Sequence, residues 1–342
     1  MTHRNYESPL EIVIMPHSSV QWREDLSDFE LSLFMTPEWV EAVSSDDNPP
    51  LFLNFLLNGE VVGKIAGLWV KQGRLKGDQL FFYASPALKE HNQSLLNDCC
   101  QALLNFARQN SVQRVVMGSY DQPTGLACEV TGFYTNERYE YVVALQPEMN
   151  GVAFSQNLKR NVKKAKKLNA ALVNGDEAHL LKRLVELLKN TLEQRVSKYG
   201  KDYNPFYLPH MNETSLQRLI DLKAGKFYKV KLEGDEVCHS VLFNLERGDK
   251  AFNLLVGSDD LSYQHGFAAL ADYELIHMYQ AAGFRYYNLG GGTDDAGSAG
   301  LERSKQSKGA VKKVVYGATT NFLCYPHRLL NPVIRVLRYW KS

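Results

Sequence analysis

Cysteine is scarce in this chain and carries no pairing pattern. The five residues are Cys99, Cys100, Cys128, Cys238 and Cys324, with no Cys-x-x-Cys among them. That excludes a zinc ribbon or thioredoxin-type site and fits a reducing compartment. Long apolar runs are missing too. None approaches the roughly 18 residues of a membrane span, and the polar Met1–Glu7 is followed by no apolar stretch of a signal peptide. The expected location is therefore the cytoplasm, with contact at the inner face of the membrane left open. An excess of one charge is also absent. Lys and Arg total 39 against 38 Asp and Glu, for a net charge of +1, so any anion site has to be built locally. No Gly-x-Gly-x-x-Gly fingerprint and no Gly-Lys-Ser/Thr phosphate loop occurs. No metal ligand set is assigned.

What is present is an ordinary globular composition, 44% hydrophobic and 23% charged over 342 residues, enough for two domains. Strands and helices alternate. Thr36-Pro37-Glu38 reads as an N-cap, a proline at N1 and an acid in the first turn. Leu51–Leu57 and Val61–Val70 form a hairpin across Asn58-Gly59-Glu60. A strand at 79–83, an amphipathic helix over about 91–109, and strands at 112–117 and 139–145 follow. Past a Pro-, Asn- and Gly-containing break near 146–151 the order recurs. Helices are predicted at about 155–168 and 176–196, and a hairpin at Lys226–Leu232 and Val237–Leu245 around Glu233-Gly234-Asp235. A strand at 251–256, a helix over about 265–282, and strands at 286–289 and 311–319 complete it. The two hairpin turns share local text, as do Gln113–Gly118 and Phe284–Gly290, at nearly the same offset. This points to a duplication, with domains expected at 1–150 and 151–342.

Five segments could carry chemistry. A helix beginning at Gly266, with Tyr263, Gln264 and Ala268 around it, would offer free amides and a positive dipole end to a pyrophosphate or carboxylate; ordinary capping by Ser262 or nearby residues is the alternative. Gly290-Gly291-Gly292, with Asp294 just beyond, follows a buried strand, where α/β sheets bind ligands; a plain loop would read the same. Arg303, Lys305 and Lys308 could face an anionic donor or a developing oxyanion, or be a solvated helix. Asn157–Lys167 holds six bases and no acid. It could meet tRNA, a nucleotide-linked sugar or anionic lipid, or simply be a solvated face. Arg195 and Tyr199, with Tyr203 and Tyr207 after them, could clamp a substrate or pack on the core. His327–Lys341 is amphipathic and basic, and could rest on a membrane surface or dock on its own domain.

Together, four of these stretches resemble the Fem family of peptidoglycan aminoacyl transferases and its GNAT-superfamily relatives. Asn157–Lys167 looks like the family's basic helix, and Thr191–Tyr199 like its Thr-x-x-x-Arg-x-x-x-Tyr segment. Gly266-Phe267-Ala268 sits where GNAT proteins carry a pyrophosphate loop. Tyr287–Gly292 with Leu301–Gly309 looks like a strand, Gly-rich turn and Leu-x-x-Phe-Lys-x-x-Phe-Gly signature. Phe34–Trp39 resembles the family's opening. Ser304 and Lys308 replace the two phenylalanines of the signature.

The resemblance implies an α/β (α+β) fold of two tandem GNAT-like domains, each a mixed, mostly antiparallel twisted sheet flanked by helices, with the chemistry in the second. It implies N-acyl or aminoacyl transfer to an amine of a cell-envelope glycan, peptidoglycan or other polysaccharide precursor. The donor would be acyl-CoA or aminoacyl-tRNA, with no permanently bound cofactor. Lys305, Asp294 and His239 are the catalytic candidates. Arg195, Tyr199, Arg160, Gly291 and Gly292 would bind substrate, and Tyr263, Gln264, Gly266 and Ala268 the donor. The expected partners are a small or nucleotide-linked glycan precursor, tRNA for an aminoacyl donor, and a membrane surface. DNA is not expected, since aromatics do not interleave the basic stripe and no DNA-reading helix pair is recognisable. The rival reading is a catalytically inactive GNAT-like protein that binds a nucleotide-linked or acyl-CoA ligand.

Overall fold

A computed structural model describes residues 9–15, 20–146, 152–175, 179–199, 206–291 and 298–339. In chain order its elements are β1 (Glu11–Met15), α1 (Val20–Arg23), α2 (Pro37–Val43), β2 (Pro50–Leu57), β3 (Glu60–Val70), α3 (Gly73–Lys76), β4 (Gln79–Phe82), β5 (Ala87–Leu88), α4 (Gln93–Gln109), β6 (Arg114–Met117) and β7 (Phe133–Ala144). They continue as α5 (Gln156–Lys166), β8 (Ala171–Gly175), α6 (His179–Tyr199), α7 (Glu213–Asp221), β9 (Gly225–Lys231), β10 (Ser240–Arg247), β11 (Lys250–Ser258), α8 (Asp260–His265), α9 (Phe267–Ala281), β12 (Tyr286–Gly291), α10 (Ser298–Ser307), β13 (Val311–Thr320) and α11 (Asn331–Tyr339).

Local chemistry explains the boundaries. Thr36 accepts a hydrogen bond from the Trp39 amide with Pro37 in the first turn, which starts α2 as expected. Asn58 and Gly59 both take positive φ (52° and 84°), the requirement of a tight hairpin turn between β2 and β3. Asn92 and Ser155 cap α4 and α5. In α5 the side chains of Leu158, Val162 and Ala165 are buried, while Lys159, Arg160, Lys163 and Lys167 face solvent. The short elements α1, α3, β5 and α8 were not anticipated, and neither were the strand β8 and the helix α7. The latter is started by a reciprocal Asn212–Ser215 capping box.

The chain divides into two compact units, residues 1–138 with 314–342, and residues 139–313. The sequence reading placed one cut near 150 and gave everything after it to the second half. The structure cuts twice, inside β7 and inside β13. In the first unit β1, β2, β3 and β4 pair antiparallel in order, β6 lies parallel to β4, and β13 closes antiparallel to β6. In the second unit β8, β9, β10 and β11 pair antiparallel, β12 lies parallel to β11, and β7 closes antiparallel to β12. Each unit thus has one plan: antiparallel strands, a crossover helix (α4 or α9), a parallel strand and an antiparallel closing strand. The closing strand of each comes from the sequence half that does not supply the rest. The matched hairpins and matched post-helix strands of the sequence fall on equivalent elements, so the fold is two tandem GNAT-like α/β units.

The second unit buries Tyr141, Val143, Leu158, Val162, Leu242, Phe267, Leu275, Tyr279, Tyr287 and neighbours in one cluster. Within it Glu246 accepts hydrogen bonds from the hydroxyls of Tyr228 and Tyr279. Asn244 donates to the hydroxyls of Tyr279 and Tyr287, and Asn253 to that of Tyr287. This satisfied polar network ties β9–β12 to α9 beneath the site.

Candidate active site

The two units differ most at the parallel strand pair. In the first, β4 and β6 pair along their length from Gln79↔Arg114 to Phe82↔Met117. The zipper then continues as the Gly118 amide donates to Phe82 O (2.7 Å) and the Tyr120 amide to Tyr83 O (3.0 Å). That edge is packed with rings: Tyr83 lies against Phe34, Trp39, Phe81 and Tyr120, and burial drives its hydroxyl pKa far up. In the second unit β11 and β12 pair only from Lys250↔Tyr286 to Phe252↔Asn288. Past that point no pairing joins Asn253–Ser258 to Leu289–Gly291 among the described residues. The strands part at their C-terminal ends, which in an α/β sheet is where a ligand can reach the backbone.

Gly290 creates the turn at the end of β12. Its φ of +70° belongs to glycine, and its amide donates to Asn288 Oδ1 (2.9 Å). Asn288 Nδ2 in turn donates to Glu140 Oε2 (2.9 Å), a buried carboxylate on β7. Lys305, on α10 and only 7% exposed, donates from Nζ to the carbonyls of Gly290 (3.0 Å) and Gly291 (2.6 Å). Its ammonium also lies 5.7 Å from the Tyr141 ring centroid. Burial, then a hydrogen bond to the Glu302 carboxylate and its charge, pushes the Tyr141 pKa up to about 12. The Tyr141 hydroxyl is buried and faces the Glu302 carboxylate of α10.

At the same end of β11 the predicted helix start takes a different form. Asp259 accepts from the Ser262 amide and caps the short α8, so Ser262 is not the cap. Gly266 then turns the chain with a left-handed φ of +76°, and α9 begins without any side-chain cap. A Cβ on Gly266 would lie 2.9 Å from Asn161 O, so α5 seals one flank of that helix start. Tyr263 is 59% exposed, Gln264 is exposed and accepts from Lys164 Nζ through its carbonyl, and Ala268 is half-buried in the first turn of α9. Gly266 thus follows the C-terminal end of β11 and Gly291 ends the parallel β12, while α10 returns Lys305 to the Gly290 and Gly291 carbonyls.

Other candidates resolve differently. The ring of His239 is held at both nitrogens, Nδ1 to Asp259 (2.7 Å) and Nε2 to Asp235 (3.0 Å). Burial alone lowers its pKa. The hydrogen bonds to Asp235 and Asp259 and their charges outweigh that and raise it. Both ring nitrogens are thus engaged by carboxylates of the protein itself, which leaves the ring a clamp between Asp235 and Asp259 rather than a base turned toward a substrate. Because its folded pKa is raised, its stabilisation is complete below the ordinary histidine value of about 6.5 and is lost as pH rises through the folded value. Asp235, held below the usual carboxylate range by His239, loses its own contribution in acid. Thermal unfolding followed against pH should show the alkaline loss in the wild type and a flatter profile in His239→Gln.

Lys308 does not face a ligand. It pairs with the buried Asp272 at 2.6 Å. Lys308→Met should cost about 3 kcal/mol by stranding that carboxylate, read by denaturant unfolding, and leave turnover near normal. Arg303 is exposed and bonds to Ala299 O, and Arg160 is exposed and bonds to Asn157 Oδ1. Arg195 and Tyr199 end α6, but their side chains lie outside the described residues, as do Tyr203, Gly292 and Asp294. Glu140 and Tyr141 were missed. Their strand reads as the last of the first half, and only the exchange of closing strands carries them to this site.

Residues 153–296 match the acetyltransferase (GNAT) domain family, which lies wholly within the second unit. A search of curated proteins gave no match. Among solved structures the chain is similar to FemX, at a TM-score of 0.68 and 13% identity, covering 90% of this chain and 96% of that one. It is also similar to L-PGS from Bacillus licheniformis, at 0.54 and 13% identity over 83% and 86% of the two chains. A third is the C-terminal domain of a putative lysylphosphatidylglycerol synthetase from Agrobacterium fabrum, at 0.50 and 13% identity over 81% and 86%. These likenesses agree with the Fem-like, GNAT-type fold.

Proposed function

We infer that this chain, an acyltransferase of the GNAT type, transfers an acyl or aminoacyl group to an amine of a cell-envelope glycan or peptidoglycan precursor, working in the cytoplasm at the inner face of the membrane. The observation that carries the reading is the parted β11–β12 edge, with the uncapped α9 start following β11 and the Lys305 ammonium on the last two carbonyls of β12. The donor, acyl-CoA or aminoacyl-tRNA, brings an activated carbonyl on a phosphate-rich carrier. Its phosphates suit the α9 start at Gly266, and the exposed bases of α5 beside it suit the rest of the carrier. Unpaired backbone of β11 can align the donor chain as an added strand.

The amine attacks the carbonyl carbon, and the oxyanion of the tetrahedral adduct develops near Lys305, whose charge is already fixed by the Gly290 and Gly291 carbonyls. Collapse forms the amide and expels the carrier thiolate or ribose alkoxide, and the nitrogen gives up its proton. Glu140, opposite Gly291 in the β7–β12 ladder, is the carboxylate placed to take it. Tyr141 is the hydroxyl placed to protonate the leaving group. Incubation of the full chain with acyl-CoA or charged tRNA and a panel of amino-sugar and peptide amines, read by product mass, tests this. New amide product supports it. Donor binding without product from any amine would favour the inactive-binder reading.

A further inference from the structure

Within the first unit, His327–Leu330 form a single tight turn leading into α11. The segment is anchored: Asn331 Nδ2 donates to Phe322 O (2.8 Å) and the Phe322 amide donates to Asn331 Oδ1 (3.0 Å). Yet it turns its apolar side outward. Leu329, Leu330, Val333 and Val336 are 66%, 51%, 58% and 57% exposed, at the spacing of one helical face. Docking on its own domain, one of the two expectations, would have covered them. Tyr325, at the start of the segment, is 67% exposed. A contiguous outward patch of this kind, on a helix with arginines beside it, is the signature of an interfacial helix rather than of chance exposure.

The surroundings are cationic. Arg328 and Arg335 are exposed on the same segment. Burial, and then the positive charge of Arg328, lowers the Arg108 pKa. A cavity of about 290 Å³ opens beside it, lined by Lys76, Arg114, Asp78, Gln113, His327 and Leu330 among others. Leu330 belongs to both the cavity wall and the exposed stripe. Asp78 accepts from Trp69 Nε1 (2.8 Å), which ties that carboxylate to β3, and Gln113 Oε1 is buried without a partner among the described residues. Lys76 and Arg114 in this lining give it positive charge suited to a phosphate, and Gln113 gives it an acceptor suited to a headgroup hydroxyl.

We propose that this face docks on an anionic phospholipid bilayer, with Leu329, Leu330, Val333 and Val336 entering the interface and the adjoining cavity receiving a headgroup. The charge of the patch selects anionic over neutral lipid, and the proposal holds whether or not the chain transfers acyl groups.

The test is flotation of the full chain with vesicles of phosphatidylcholine alone and of phosphatidylcholine with phosphatidylglycerol. The wild type is expected to float with the anionic vesicles and not with the neutral ones, and to be released by high salt. Arg328→Glu and Arg335→Glu should each weaken binding at least about fivefold. The double variant Leu329→Ser/Val333→Ser should abolish flotation while circular dichroism and the unfolding temperature stay at wild-type values, since both side chains already face solvent. Lys76→Gln, which leaves the apolar stripe intact, should weaken binding to anionic vesicles alone. Failure of the wild type to float, equal flotation with both vesicle types, or undiminished flotation of the serine variant overturns the proposal. So does a concentration-dependent dimer, abolished by the same serines, in place of vesicle binding.

Discussion

Turnover by a Lys305→Ala protein is expected to fall by about 10²- to 10³-fold in kcat with KM for the donor little changed, the scale of losing one preorganised donor to a developing oxyanion. Lys305 is nearly buried and its ammonium spans the last two carbonyls of β12, so its charge is fixed before any substrate arrives. A lysine held only for stability would behave differently. Its loss would strand two carbonyl acceptors, at about 1–3 kcal/mol, and would be visible in unfolding but not selectively in kcat. The Lys308→Met protein supplies the comparison three residues along the same segment. It should unfold more easily through Asp272 and yet retain turnover. If Lys305→Ala keeps full activity while losing stability, the lysine is a strut and the oxyanion assignment fails.

The second large effect is expected at Gly266. Its left-handed backbone costs an ordinary L-residue about 1–2 kcal/mol, and a β-branched residue is a poor occupant of that region. The new Cβ would also sit 2.9 Å from Asn161 O and 3.0 Å from Asn161 Cβ, both on α5. Gly266→Val must therefore push α5 away from the start of α9. With a combined penalty of about 3 kcal/mol, a drop of about 4 °C in unfolding temperature follows for a chain of this size. Because α5 carries the exposed bases, the donor KM should rise as well. Gly266→Ala should show a smaller shift of the same sign in both readouts. A valine protein as stable as the wild type would show that the α5–α9 contact is looser than described.

Much of the fold was legible because local rules and global packing agree. The Thr36-Pro37 start of α2, the Asn58-Gly59 turn, the Leu158–Val162–Ala165 face of α5 and the crossover helix α9 all stand close to where periodicity and capping place them. The repeat of hairpin and post-helix strand identified the duplication. The exchange of closing strands was not legible. β7 and β13 read correctly as strands, but nothing in an alternating apolar segment says which sheet it will close. That is why Glu140 and Tyr141, assigned by position to the first half, were absent from the expected site. His239 shows a related limit. The sequence offers it as a catalytic candidate, whereas Asp235 and Asp259, the latter brought in from the end of β11, hold both ring nitrogens. The parting of β11 from β12 is likewise a property of pairing, since the zipped strands β4 and β6 have a similar apolar character.

The central claim is that donor chemistry takes place at the open β11–β12 edge and not at its closed counterpart. Backbone hydrogen exchange with and without a non-transferable donor analogue tests it most directly. The account predicts new protection in residues 253–270 and 286–291, with residues 79–83 and 114–120 unchanged. Protection confined to the latter, or none anywhere under conditions where product forms, would contradict it.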